Sequence, residues 1–255
     1  TGTWQAPIFW GDDDFITRDG SGAPMQNGTE PVPFTLALPM APLLAAAPIV
    51  MYQHGNPGSA EVDVPLFARD HLGEAGFAVV GFTDRANRST QGSSDPIGDM
   101  SRQHLSTLLN QHRWVDSIAL IPNMEQLAFL RLIEALETVD VLPVDAPDGE
   151  PELDTVAPLS YLGLSNGSNH AVGLLAFAPE ISAAAMMVGG GRYFGSTTFQ
   201  EDGRGNVYDL LIGDFPDVRR SELFVGFAIG QMGVDDKDWL NRAHLLYQDP
   251  LGLGS

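Results

Sequence analysis

Pro158-Leu159-Ser160-Tyr161-Leu162, then Gly163-Leu164-Ser165-Asn166-Gly167, then Ser168-Asn169-His170-Ala171-Val172-Gly173-Leu174-Leu175-Ala176-Phe177-Ala178 is the stretch that decides the fold. Its first part is a short apolar run of the kind that makes a buried strand, and its last part reads as a helix packed along one side. The middle is G-x-S-x-G, and a strand, G-x-S-x-G and a helix in that order make a nucleophile elbow. A sharp strand-to-helix reversal forces strained backbone angles and brings the two elements close, so side chains at Gly163 and Gly167 would collide. Ser165 then sits at the apex with its hydroxyl exposed. The N–H of Asn166 follows at a helix N-terminus, where developing negative charge is favoured. Glycine and serine also make ordinary turns, and it is the flanking strand and helix that select the elbow.

Working towards the N-terminus, Phe77-Ala78-Val79-Val80-Gly81-Phe82 is a buried strand, and so is Pro48-Ile49-Val50-Met51-Tyr52-Gln53, which runs into the turn His54-Gly55-Asn56-Pro57-Gly58-Ser59. Ala60 to Ala75 between them reads as a helix that Gly76 ends. Strand, helix and strand at this spacing predict a parallel pair with a right-handed crossover. Val32 to Pro39 alternates like an early antiparallel strand, with Pro33 placing it at an edge or bulge. Residues 1 to about 30 read as an extended lead-in with turns, anchored by Trp4, Ile8, Phe9 and Trp10. Asp12-Asp13-Asp14 and Asp19-Gly20 miss the calcium-loop spacing and read as solvated acidic turns.

Between the second strand and the elbow, Thr83 to Gly98 is a polar loop with Arg85, Arg88 and Asp95, and Met100 to Asp116 reads as helical. A further helix runs from Pro122 to about Thr138, with Asn123 as its cap and Gln126 reaching back. Its broad apolar face is made by Leu127, Leu130, Ile133, Ala135 and Leu136. Val141 to Pro158 is a surface loop. Beyond the elbow helix, Ile181 to Val188 reads as another buried strand. The character changes at Arg192. Leu210 to Gly213 and Phe215 to Gly233 look mostly helical, and a last helix capped by Asp235 or Asp236 runs through Tyr247. The expected organisation is a core over residues 1–191 and a helical, cap-like or lid-like region over 192–255.

Composition narrows the chemistry. The chain has 255 residues, with 13 basic and 33 acidic side chains and a net charge of −20. Phosphate backbones and anionic membranes would repel it, so nucleic acid is not an expected partner. Cysteine is absent, which excludes disulfides, thiolate metal sites and cysteine nucleophiles. No apolar run is long enough for a membrane span. The acidic loops around Asp12 and Asp202 offer carboxylates without a coherent set of histidines, so neither metal nor cofactor is expected.

Strands near 48, 77, 159 and 183 with helices between them describe a doubly wound, mostly parallel α/β sheet. With the elbow and the His54-Gly55 turn, the chain resembles the α/β-hydrolase superfamily, and bacterial secreted lipases and esterases in particular, over roughly residues 30 to 190. The resemblance implies Ser165 as nucleophile and the backbone N–H groups of Asn166 and Asn56 as an oxyanion hole. It implies a small-molecule or lipid ester as substrate and a secreted or periplasmic location. His54 precedes the nucleophile and is expected to brace its loop, and His170, inside the elbow helix, to pack or cap. The superfamily's chain order is Ser, acid, His. His244, with Asp235, Asp236 or Asp238, has that order but falls inside an expected helix. The preferred reading is that the acid, the base and the sheet's last strands lie outside this sequence, on a companion C-terminal segment, the sheet here being incomplete. The apolar run Leu223 to Ile229 would line an acyl site or form ordinary helix core. A peptidase, an acyltransferase or a non-catalytic hydrolase-fold binding module stand as other readings of the same elbow.

Overall fold

A computed structural model describes residues 1–11, 15–39, 46–67, 71–96, 120–138 and 149–189, with residues 99, 140 and 222. In chain order the elements are β1 (Gly2–Ile8), β2 (Gly28–Ala37), β3 (Ala47–Gln53), α1 (Ala60–Phe67), β4 (Ala78–Phe82) and α2 (Arg85–Ser89). They continue with α3 (Ile121–Ala135) and its 3-10 extension Leu136–Thr138, β5 (Leu153–Asp154), β6 (Leu159–Leu164), α4 (Asn166–Leu175) and β7 (Ile181–Met187). The sheet order is β1-β2-β4-β3-β6-β7, with β5 pairing the start of β3. β1–β2 and β2–β4 are antiparallel, while β4–β3, β3–β6 and β6–β7 are parallel.

The alternation along the central strands explains the two layers of helix. Ile49 and Met51 of β3, Val80 and Phe82 of β4 and Tyr161 of β6 face α3 and α4, in a core with Phe129, Leu130, Ile133, Ala171 and Leu174. Val50, Tyr52, Val79 and Leu162 point the other way, onto Ala60 and Val64 of α1. A sheet buried on both faces needs near-continuous apolar strands, and all five residues of β4 are buried. Thr83 ties α1 to the end of β4: its Oγ1 accepts from Ala60 N–H at 3.0 Å and donates to Glu61 at 2.7 Å.

Several expectations are corrected. The lead-in contains a strand, β1, because Trp4 and Ala6 bury while their neighbours stay more open. Trp4 meets Phe129 at 5.5 Å and Phe82 at 6.0 Å edge-on. β2 lies inside the sheet, yet its ladder with β4 begins only at Phe34, so Pro31 and Pro33 fall where β1 is the sole partner. The loop after β4 contains α2, capped by Asp84, whose Oδ1 accepts from Asn87 N–H at 2.9 Å. Asn123 lies inside α3 rather than capping it, Pro122 having moved the start forward to Leu120–Ile121. β7 forms where expected, but only Ile181 is buried. Among the described residues it pairs with β6 alone.

Asp19 is committed to its own turn, with Oδ1 accepting from Ser21 N–H, Ser21 Oγ and Ala23 N–H. No described helix is long and apolar enough to cross a membrane. The helices expected at 100–116 and across 192–255, the apolar run 223–229, Asp235, Asp236, Asp238 and His244 lie outside the described residues.

Candidate active site

Ser165 stands alone between β6 and α4, with φ 52° and ψ −112°. A non-glycine residue there is strained by about 1–3 kcal/mol and persists only where its surroundings enforce it. The enforcement is visible. A Cβ on Gly163 would lie 2.7 Å from Gly167 O and 2.8 Å from Ser168 N. One on Gly167 would strike Gln53 O and lie 2.9 Å from His54 O, so the first turn of α4 rests directly on the backbone at the end of β3. From the other side, the end of β7 holds the turn. Met187 O accepts from Ser165 N–H at 2.8 Å, and Ser168 Oγ, with one proton to share, lies 2.6 Å from Gly163 O and 2.8 Å from Met187 O.

The His54–Ser59 turn comes to the same place. A Cβ on Gly55 would be 2.9 Å from Ser165 Cβ and 3.5 Å from its Oγ, so the Gly55 backbone faces the serine side chain directly. The structure therefore gathers Ser165, Asn166 and the Gly55–Asn56 turn at the C-terminal ends of β3 and β6. The order of the parallel strands and the strained serine between β6 and α4 decide the architecture. The fold is α/β-hydrolase-like.

His54 is fully buried, and its two partners define its tautomer. Nδ1 lies 2.7 Å from Gly55 O, an acceptor, so Nδ1 carries the proton. Nε2 accepts from the Asp84 N–H at 3.1 Å. Both ring nitrogens are thus used to brace the turn, as the sequence led us to expect. Burial disfavours the Asp84 carboxylate, but the hydrogen bonds that its Oδ1 accepts from Asn87 N–H and Nδ2 favour it, and the group is held below the usual carboxylate range.

His170 also behaves as expected. It is buried in α4, with Nε2 2.8 Å from Asn166 Nδ2, whose amide donates to it. Burial, opposed by Asp84, lowers its pKa to about 4, so it is neutral at ordinary pH. A polar network absent from the sequence-based expectations lies beneath the elbow. Tyr161 Oη donates to Gly167 O at 2.7 Å and accepts from Gln126 Nε2 at 3.1 Å. Asn123 Nδ2 donates to Gln126 Oε1 at 3.0 Å and to His170 O at 2.9 Å. Burial pushes the Tyr161 phenol well above its ordinary range, so it remains a donor.

Asn87 is the other residue that the sequence did not single out. Its Nδ2 donates to Asn56 Oδ1 at 2.5 Å and to Asp84 Oδ1 at 3.0 Å, and its Oδ1 accepts from Gly58 N–H at 3.0 Å. The signal was Asp84, two residues after a buried strand and an N-cap residue three positions ahead of Asn87. Among the described residues no group of three or more His, Asp or Glu is placed to hold a metal ion.

No protein-family model matches the chain, and no curated protein sequence matches it either. Among solved structures, it is similar to a cold-adapted esterase from an Arctic intertidal metagenomic library at 16% identity and TM-score 0.39, over 61% of this chain and 54% of that one. It is also similar to the acylaminoacyl peptidase of Pyrococcus horikoshii, at 13% identity and TM-score 0.44, over 96% of this chain and 34% of that one. A third is brefeldin A esterase, a bacterial homologue of human hormone-sensitive lipase, at 14% identity and TM-score 0.43, over 84% and 51%. The chain thus spans about half, or less, of the length of these proteins. At this distance none of their chemistry transfers to it.

Proposed function

We propose that this protein is a serine hydrolase that cleaves carboxylic esters through an acyl-enzyme at Ser165. The observation that carries the proposal is the backbone of Ser165: a serine held at φ 52° where glycine would be relaxed, with the Gly55 backbone against its side chain. In the proposed reaction Ser165 Oγ attacks the ester carbonyl carbon while a general base takes its proton. The N–H groups of Asn166 and Asn56 receive the charge that develops on the carbonyl oxygen, and the base returns the proton to the departing alcohol. Water then attacks the acyl-enzyme, releasing the acid and restoring Ser165.

The base and its acid partner come from outside the described residues. The histidines adjoining the elbow, His54 and His170, each spend an imidazole nitrogen on a structural bond that proton transfer would break. His244 and a companion segment carrying an acid and a histidine are the two sources proposed. The commitment of both nearby histidines also favours a second reading, a non-catalytic hydrolase-fold binding module.

One experiment separates them. A fluorophosphonate probe should label the wild-type protein stoichiometrically and Ser165→Ala not at all, and Ser165→Ala should lose turnover of short p-nitrophenyl esters. A folded but unlabelled wild type would support the binding module, and turnover retained by Ser165→Ala would remove Ser165 as nucleophile. In the active form, loss of turnover in a folded His244→Ala would support His244 as the base, and unchanged turnover would rule it out.

A further inference from the structure

We infer that Asn87 is a positioning residue that holds the Asn56 main chain in place for oxyanion binding. Its role rests on Ser165 being the nucleophile. The turn it grips is short and closely placed. Gly55 faces Ser165, Asn56 follows, and Asn87 bonds the chain on both sides of Pro57, through Asn56 Oδ1 at 2.5 Å and Gly58 N–H at 3.0 Å. The Asn56 side chain therefore has a use even though the donor proposed for catalysis is its main-chain N–H.

The grip is firm because its base is fixed. Asn87 is 3% exposed, and it belongs to a five-residue helix that could not stand alone. Asp84 caps that helix, accepting from both the main-chain N–H and the Nδ2 of Asn87. One residue on, Arg88 pairs with the buried Glu125 at 2.6 Å and with Glu30 at 2.7 Å, and its Nη1 donates to Thr83 O at 2.7 Å. Arg85 N–H donates to Glu125 Oε2 at 3.1 Å, and the Arg85 guanidinium lies 4.7 Å from the centre of the Trp10 ring. α2 is thus bound to β2, α3 and the end of β4 and acts as a fixed bracket. An oxyanion donor contributes to rate only when it is aimed beforehand at the place where charge develops, and a site loosened by about 1 Å loses much of its effect. Asn87 supplies that aim through the turn and does not touch the substrate.

The test uses Asn87→Ala and Asn56→Ala in the active protein, with three readouts. Hydrogen exchange of the peptide spanning residues 54–59 should quicken in both variants while the β3 and β6 peptides stay protected. On p-nitrophenyl acetate, kcat per fluorophosphonate-titrated Ser165 should fall about 10- to 100-fold, less than the ~10²–10³-fold loss of a whole donor. KM should stay within about twofold, as for an interaction made only in the transition state. The double variant should be no worse than Asn87→Ala alone, because the bond that Asn56→Ala removes is already lost with Asn87, which also holds Gly58 N–H.

Unchanged exchange at 54–59, or an undiminished kcat per titrated site, would overturn the role of Asn87. So would a strictly additive double variant. If Asn87→Ala does not fold, Asn56→Ala breaks the same bond from the loop side and carries the first two readouts. Absence of any Ser165-dependent turnover in the wild type is a separate result, and it would overturn the nucleophile assignment itself.

Discussion

Replacing Ser165 by glycine should leave the protein more stable than replacing it by alanine, the reverse of the usual order. In most positions glycine is the worse choice by about 0.5–1 kcal/mol, because it loses more backbone freedom on folding. Position 165 has φ 52° and ψ −112°, where a residue with a Cβ bears about 1–3 kcal/mol of strain and glycine bears almost none. The difference favours glycine by up to roughly 2.5 kcal/mol. Serine and alanine share the strain, so Ser165→Ala should lie close to the wild type, and both variants should be inactive towards esters. Urea unfolding of the three proteins measures this directly, as a shift of midpoint at constant slope. A stabilisation of 1 kcal/mol corresponds to a rise in Tm of about 2–4 °C for a chain of this size. If Ser165→Gly instead proves less stable than Ser165→Ala by the ordinary glycine penalty, position 165 is unstrained and the case for a serine held there for chemistry collapses.

Gly167→Ala should be costly, because the new Cβ would meet Gln53 O and lie 2.8 Å from its carbonyl carbon, backbone atoms that cannot turn aside. A loss of at least ~1–3 kcal/mol is expected, and an unchanged melting temperature would show that α4 does not rest on β3. Tyr161→Phe removes the donor to Gly167 O and the acceptor of Gln126 Nε2, so a loss of about 1–3 kcal/mol in denaturant unfolding is expected from the buried groups left unpaired. His170 predicts a pH dependence. Unfolded, it takes up a proton near its ordinary value of 6.5, but folded only near 4. Between those values the unfolded chain binds more protons, so the contribution is complete above about pH 6.5 and drains away as pH falls towards 4, by roughly 3 kcal/mol. His170→Gln keeps an acceptor for Asn166 and cannot become charged. Its stability should lack that share of the acid slope, and an identical slope in both proteins would rule His170 out as the source.

Much of the architecture was legible in the chain because it depends on near neighbours. Apolar runs one strand long, the Asn56-to-Ser59 turn residues and Gly163 and Gly167 around Ser165 describe β3, β4, β6 and the elbow with information carried within a few residues. The two-faced burial of β3 and β4 follows from their continuous apolar character, and with it the helices on both sides of the sheet. What the chain could not disclose depends on partners far away. β1 is a strand because Trp4 finds Phe82 and Phe129, and no period within residues 1–30 encodes that meeting. Asn123 and Gln126 looked like a cap, yet their amides serve His170 O and Tyr161 Oη across the core. β7 was recognisable as a strand, but its apolar composition did not disclose that only Ile181 is buried. Asn87 was one polar residue in a polar loop until folding set it against Asn56, 31 positions away. Local sequence pattern records which backbone conformation a segment prefers. Which buried amide answers which carbonyl is decided only when the sheet closes, since only then does leaving either one unpaired carry a cost.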